Sequence, residues 1–272
     1  MTLDEATRLL AEAGVENPRG EARLLLARAL NVSRDQTLTA QPTPDQSARF
    51  DALVLRRAGR EPFAYINGSR EFWSLQFVVG PGVLVPRPDT ETLIEEALRT
   101  VPDRNAPLRI ADLGTGSGAI LIAALREFPN ATGIGFEKDI DAFRWAQRNI
   151  ERLVPGRAEV RLTDWSNVES RVPYDLIFSN PPYIPSGEIE SLEPEVTLYE
   201  PRSALDGGLD GLDAYRALAG LLPDLLRPGG HALLEIGLGQ ESAMALLFQG
   251  LELLRIAPDL SGVPRCVILR KP

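Results

Sequence analysis

The first seventy residues carry apolar positions at helical spacing. Leu3, Leu9, Leu10 and Ala13 fall on one face, and Ala22, Leu24, Leu25, Leu26 and Leu30 make a second apolar helix after Pro18. Thr43-Pro44-Asp45 sets a capping hydroxyl before a proline at the first helical position. A third helix is therefore predicted from there to about position 58, with Phe50, Leu53 and Leu55 apolar. The pattern then turns β-like. Runs at 75–79 and 83–85 flank Gly80-Pro81-Gly82 and predict a hairpin.

Beyond Asp89, apolar runs alternate between the two periods. Helices are predicted over 91–98, 119–125, 142–150, 212–226 and 242–248. Strands are predicted over 108–111, 132–136, 158–162, 176–178, 231–236, 251–256 and 266–269. Seven strands alternating with helices define an α/β fold, a mostly parallel doubly wound sheet covered on both faces. The expected organisation is a small helical bundle over 1–71, a β-hairpin linker over 72–87, and the α/β domain over 88–272.

Four strand ends carry unusual chemistry. Asp112-Leu113-Gly114-Thr115-Gly116-Ser117-Gly118 follows the first strand of the α/β domain and opens a helix. Glycines at alternate positions allow a sharp turn and leave room for a ligand against the backbone. The spacing differs from the dinucleotide pattern, and no Gly-Lys-Ser/Thr ending marks a phosphate loop. Glu137 ends the next strand, where a carboxylate can accept from both hydroxyls of a ribose. Asp164-Trp165 follows the third, where Trp165 can stack on a purine and Asp164 can accept from an exocyclic amine. Turn, acid and aromatic at three successive strand ends point to an adenosine-type cofactor. Together they resemble the class I S-adenosylmethionine methyltransferases, whose fold is Rossmann-like, although Glu137 stands where many members have Asp. The resemblance assigns Gly114, Thr115, Gly116, Ser117, Gly118, Glu137, Asp164, Trp165 and Asn180 to cofactor binding, with S-adenosylhomocysteine as product.

Asn180-Pro181-Pro182-Tyr183 follows the fourth strand. An amide nitrogen is a poor nucleophile because its lone pair is delocalised. Asn180 can offer its side-chain oxygen to one N–H of an NH2 group, and the Pro181 carbonyl can accept from the other. Two acceptors orient the nitrogen and favour positive charge developing on it. Prolines at 181 and 182 fix φ and stiffen the turn, and Tyr183 offers a flat face to a planar group. The tetrapeptide resembles the N-methyltransferases acting on an NH2 attached to a planar system, with Asn180, Pro181, Pro182 and Tyr183 as the catalytic and substrate-binding residues.

Further segments narrow the choice. Arg70-Glu71-Phe72-Trp73, Val85-Pro86-Arg87-Pro88-Asp89-Thr90-Glu91, the stretch 199–211, Glu235-Ile236-Gly237 with Gln240, and Asp259-Leu260 with Arg265 resemble the peptide-chain release factor glutamine methyltransferases (the PrmC/HemK family). Asp89 stands where Glu is common. The resemblance implies methylation of the glutamine amide in the Gly-Gly-Gln motif of release factors, with the helical bundle recognising that substrate. Arg87 either closes over the site or caps the next helix. Glu200-Pro201 reads as a loop-shaping pair, His231 as solvated or packed, and Cys266 as core.

Charge and composition bear on the alternatives. The 272 residues carry a net charge of −9, with only two lysines, Lys138 and Lys271. Duplex binders usually present a basic face, so this balance speaks against the alternative of a DNA or RNA amine methyltransferase. No direct nucleic-acid requirement is expected. One cysteine excludes an internal disulfide framework and a Cys-rich zinc site, and no metal is expected. The start Met1-Thr2-Leu3-Asp4-Glu5 lacks a signal-peptide pattern, and no run is apolar enough to span a bilayer. A cytoplasmic monomer free of membranes is the expectation.

Overall fold

The computed structural model describes residues 1–168 and 172–272. In chain order the helices are α1 (Leu3–Glu12), α2 (Pro18–Leu30), α3 (Pro44–Ala58), α4 (Phe63–Asn67), α5 (Glu91–Thr100), α6 (Ala119–Glu127), α7 (Ile140–Leu153), α8 (Pro194–Tyr199), α9 (Asp213–Leu225) and α10 (Glu241–Leu247). The strands are β1 (Ser69–Phe72), β2 (Leu75–Val78), β3 (Arg109–Leu113), β4 (Thr132–Glu137), β5 (Ala158–Leu162), β6 (Tyr174–Ser179), β7 (Leu226–Glu235), β8 (Glu252–Pro258) and β9 (Pro264–Arg270). They form two compact units. The smaller comprises Met1–Ser69 with Glu193–Tyr199, and the larger comprises Arg70–Leu192 with Glu200–Pro272.

In the smaller unit, local signals start the helices and packing holds them. Thr2 and Glu5 form a capping box on α1, and Thr43 and Gln46 form one on α3. Leu10, Ala22, Leu25, Phe50 and Val54 meet in its core. Leu55, expected in the packed face of α3, is instead 60% exposed. The segment containing α8, which the sequence places in the larger domain, belongs to this unit. Arg57, on α3 and 5% exposed, pairs with Glu21 at 2.5 Å and with Glu195 at 2.8 Å. Arg60 also reaches Glu195, at 2.5 Å, and the Tyr199 hydroxyl donates to Gly59 O at 2.6 Å. Removing Arg57 strands Glu21 and leaves Glu195 with Arg60 alone. Arg57→Ala is therefore expected to destabilise this unit by about 2–3 kcal/mol, below the range for a fully buried pair because both acids are partly solvated. Denaturant unfolding followed by far-UV circular dichroism checks this; an unchanged midpoint would contradict it.

The larger unit is built on a seven-stranded sheet in the order β5-β4-β3-β6-β7-β9-β8. The strands from β5 to β7 pair in parallel, whereas β9 runs antiparallel to both β7 and β8. Buried apolar runs such as Ile110, Ala111 and Leu113 on β3 or Leu176, Ile177 and Phe178 on β6 identify strands covered on both faces. The chain runs outward from β3 through β4 to β5, then returns to place β6 on the other side of β3. That reversal opens a crevice at the carboxyl ends of β3 and β6, where ligands bind in open α/β sheets.

The hairpin differs from its prediction. Its strands are β1 and β2, and the turn is Trp73-Ser74, with φ of 51° and 57°. Left-handed conformation at both central residues suits the twist of a tight hairpin. Trp73 is held there by two carboxylates. Its N–H donates to Glu91 at 2.8 Å and its indole N–H to Glu127 at 2.7 Å. The run 83–85 forms no strand. Asn149 instead exchanges hydrogen bonds with both the N–H and the carbonyl of Val78, at 2.8 and 3.0 Å. Beyond it, Pro81 and Pro86 lack N–H donors for a ladder.

Candidate active site

The glycine turn between β3 and α6 folds back onto the end of β4. Gly114 N–H and Thr115 N–H both donate to Phe136 O, at 2.9 and 3.0 Å. Gly116 N–H donates to Glu137 Oε2 at 2.9 Å, while Asp139 N–H donates to Glu137 Oε1 at 2.9 Å. Glu137 is thus aimed by backbone from two sides. Burial raises its pKa, and these N–H groups oppose the rise. The turn needs glycine at Gly114, whose φ is +74° and where a Cβ would lie 3.1 Å from the Trp165 ring.

Asp112 lies beneath the turn, fully buried. Thr115 Oγ1 donates to its Oδ2 at 2.6 Å, but Oδ1 has no partner. Desolvation pushes its pKa up to about 7.

On the other side of the crevice, Ser179 Oγ donates to Leu113 O at 2.7 Å, fixing the end of β6 against the end of β3. Asn180 follows directly. Its Nδ2 donates to Thr90 Oγ1 at 3.3 Å, leaving the amide oxygen as the end available to the cleft. Behind it, the Tyr183 hydroxyl donates to Glu235 Oε1 at 3.1 Å, and Gln240 Nε2 donates to Tyr183 O at 3.0 Å. Gly211 closes against the same carbonyl. A Cβ there would lie 2.4 Å from Tyr183 O, so the 199–211 segment wraps the proline turn tightly.

These elements line one cleft. Gly114 to Ser117, Glu137, Trp165, Asn180 and Pro182 all line it. Pro181, Tyr183 and Gly118 contribute no side chain to its lining. Asp164 is not brought to the cleft either. Its Oδ1 takes the Ser166 N–H and hydroxyl, at 2.8 and 2.7 Å, and caps the turn that carries Trp165. Among the described residues no group of three His, Cys, Asp or Glu side chains is placed to hold a metal ion.

Arg87 completes one wall with Glu200 paired to it, and the sequence reading found only part of this. Arg87 lines the cleft rather than capping the helix, and its Nη2 meets Glu200 Oε2 at 2.7 Å. Glu200 is buried, which pushes its pKa up to about 6 against the opposing pull of Arg87. The pair therefore forms above about pH 6 and is lost as Glu200 takes a proton. The expected result is an acid limb near pH 6 in the rate profile that disappears in Glu200→Gln; a limb unchanged in that variant would contradict it. The effect on stability runs the other way. Folding raises this carboxyl above its ordinary 4.5, so its contribution is present below that value and lost as pH rises through about 6.

Strand order, glycine turn and aimed acid define a methyltransferase of the doubly wound, Rossmann-like class. Two solved structures share the fold. One is a 16S rRNA methyltransferase of T. thermophilus in complex with AdoMet and guanosine, at a TM-score of 0.53 and 21% identity over 75% of this chain and 50% of that one. The other is a methyltransferase from Pyrococcus furiosus, at 0.50 and 21% over 81% and 97%. The family model of the PrmC N-terminal domain matches residues 2–68, and that of the methyltransferase small domain matches 89–194. The release factor glutamine methyltransferase of Rhodospirillum rubrum is 44% identical over 99% of this chain and 84% of its own length, and that of Geobacter sulfurreducens 44% over 97% and 94%. The chain belongs to the release factor glutamine methyltransferase family.

Proposed function

We propose that this protein transfers the methyl group of S-adenosylmethionine to the side-chain amide nitrogen of the glutamine in the Gly-Gly-Gln motif of peptide-chain release factors. The observation that carries the reading is the end of β6. Asn180 is fixed with its amide nitrogen turned to Thr90, beside a proline turn held from behind by Gln240 and Tyr183.

The residues present fit the cofactor. Glu137 would accept from the ribose hydroxyls, Trp165 would cover the adenine, and the turn 114–118 would lie along the rest. S-adenosylmethionine supplies a methyl group bonded to a positively charged sulfur. Asn180 Oδ1 and the Pro181 carbonyl would accept the two N–H bonds of the glutamine amide and aim its lone pair. Held there, the cofactor would give up that methyl group and leave as the neutral thioether S-adenosylhomocysteine. The extra proton on nitrogen leaves to water. Charge developing on the nitrogen is stabilised by the two acceptors, so no general base is needed.

The helical unit would contribute to gripping the release factor, and the protein would act in the cytoplasm as a monomer without nucleic acid. A nucleic-acid amine would use the same clamp, but the −9 charge and the names of the full-length relatives favour the protein substrate. Mass spectrometry of purified release factor incubated with the protein and S-adenosylmethionine tests this. One added methyl on the loop glutamine is expected, and labelled methyl found only on RNA or DNA would overturn it.

A further inference from the structure

Three side chains of α7 hold extended chain. Trp145, Asn149 and Arg152 stand in line along the helix at the spacing of one face. The Trp145 indole N–H donates to Pro81 O at 3.1 Å, and Arg152 Nη2 donates to Gln76 O. Between them Asn149 is fully buried. Its Oδ1 accepts from Val78 N–H at 2.8 Å, and its Nδ2 donates to Val78 O at 3.0 Å. Residues 76–81 are thereby laid along the helix as a strap. At Gly80 a Cβ would stand 2.6 Å from the Trp145 ring, so strap and helix lie in close contact.

Asn149 also reaches a second segment. The same Nδ2 donates to Ser117 O at 2.9 Å. Ser117 belongs to the glycine turn, and with Gly116 it lines the cleft. The strap continues into Gly82, Leu84 and Pro86, which line the cleft as well. A carboxamide has two N–H donors, and here one is spent on each segment. Its oxygen is spent on Val78 N–H, which fixes the way the amide is turned. With three bonds of 2.8–3.0 Å, the side chain cannot follow one segment without losing the other.

We propose that Asn149 is a positioning residue for cofactor binding. It sets the gap between strap and glycine turn, two parts of the cleft lining, without lining the cleft itself. The inference rests on the reading of this cleft as the S-adenosylmethionine site. The end of β6 that carries Asn180 is held separately, through Ser179 and Leu113 O. Loss of Asn149 should therefore act on cofactor affinity and spare the chemical step.

The test compares Asn149→Ala, Asn149→Asp and Arg152→Met by calorimetry with S-adenosylhomocysteine and by steady-state methylation of release factor. Alanine removes all three bonds. Aspartate keeps the volume and the acceptor for Val78 N–H, but sets an oxygen against the carbonyls of Val78 and Ser117. Each should weaken the Kd about tenfold or more, while kcat at saturating S-adenosylmethionine stays within about threefold. Arg152→Met releases the strap at Gln76 and should leave the Kd close to wild type. A purely structural role for Asn149 would lower the unfolding midpoint and leave the Kd of the folded protein unchanged. Should Asn149→Ala fail to fold, Asn149→Asp carries the comparison. The inference is overturned if a folded Asn149 variant binds as wild type does, if kcat falls in step with affinity, or if Arg152→Met weakens binding equally. Gly114→Val, which acts on the turn directly, separates the two levels. An unchanged Kd there removes the cleft as the cofactor site; a weakened one beside wild-type binding in Asn149→Asp removes only the role of Asn149.

Discussion

Asn180→Ala is expected to lower turnover by about 10²–10³-fold, the usual loss when one preorganised polar contact to developing charge is removed. Affinity for S-adenosylhomocysteine should change by less than about threefold. The split follows from where the side chain sits. The cleft wall proposed to hold the cofactor is formed by the glycine turn, Glu137 and Trp165, to which the Asn180 side chain makes no hydrogen bond. The β6 end that carries it is fixed by Ser179 and Leu113, so truncation should leave the backbone in place. Single-turnover methylation with release factor, beside calorimetry with S-adenosylhomocysteine, measures both numbers. A wild-type rate would remove the clamp from the mechanism.

Gly114→Val should act on the opposite quantity. The backbone there has φ of +74°, which a β-branched residue adopts only at a cost of about 1–3 kcal/mol. The first carbon of the new side chain would stand 3.1 Å from the Trp165 ring and push it off the cleft. Strain and displacement together should weaken cofactor binding by at least about a hundredfold. The chain should still fold, because the sheet core beneath the turn is untouched. An unchanged Kd for S-adenosylhomocysteine would show that Trp165 and this turn do not form the adenosine side of the cleft.

The larger unit was legible because its strands are buried on both faces and announce themselves as continuous apolar runs. The glycine turn, Glu137 and Asn180 were legible for a related reason. Each sits at the end of such a run, and the sheet brings those ends together. What escaped notice depends on partners far away in sequence. The hairpin turn at Trp73-Ser74 has none of the usual Asn-Gly signal; Glu91 and Glu127 hold it. The apolar run at 83–85 looked like a strand, but proline-flanked chain packs it into the interior without a ladder. Glu200 read as a loop-shaping acid until its buried contact with Arg87, 113 positions earlier, was visible. The bond from the Tyr183 hydroxyl to Glu235, 52 positions along, was likewise invisible in the sequence. Thr90 stood out only as part of the 85–91 segment; its contact with Asn180, 90 positions along, was not visible there.

The excursion of Glu193–Tyr199 into the smaller unit has a consequence for anyone dissecting this molecule. Cleaving the gene after the codon for Ser69 does not yield a clean catalytic fragment. It leaves a seven-residue stub whose acids, Glu193 and Glu195, have lost the guanidinium groups of Arg57 and Arg60 that they are matched to. That stub joins the proline turn on one side to Glu200 and the cleft wall on the other. A fragment starting at Arg70 should therefore be a poor proxy for the intact enzyme.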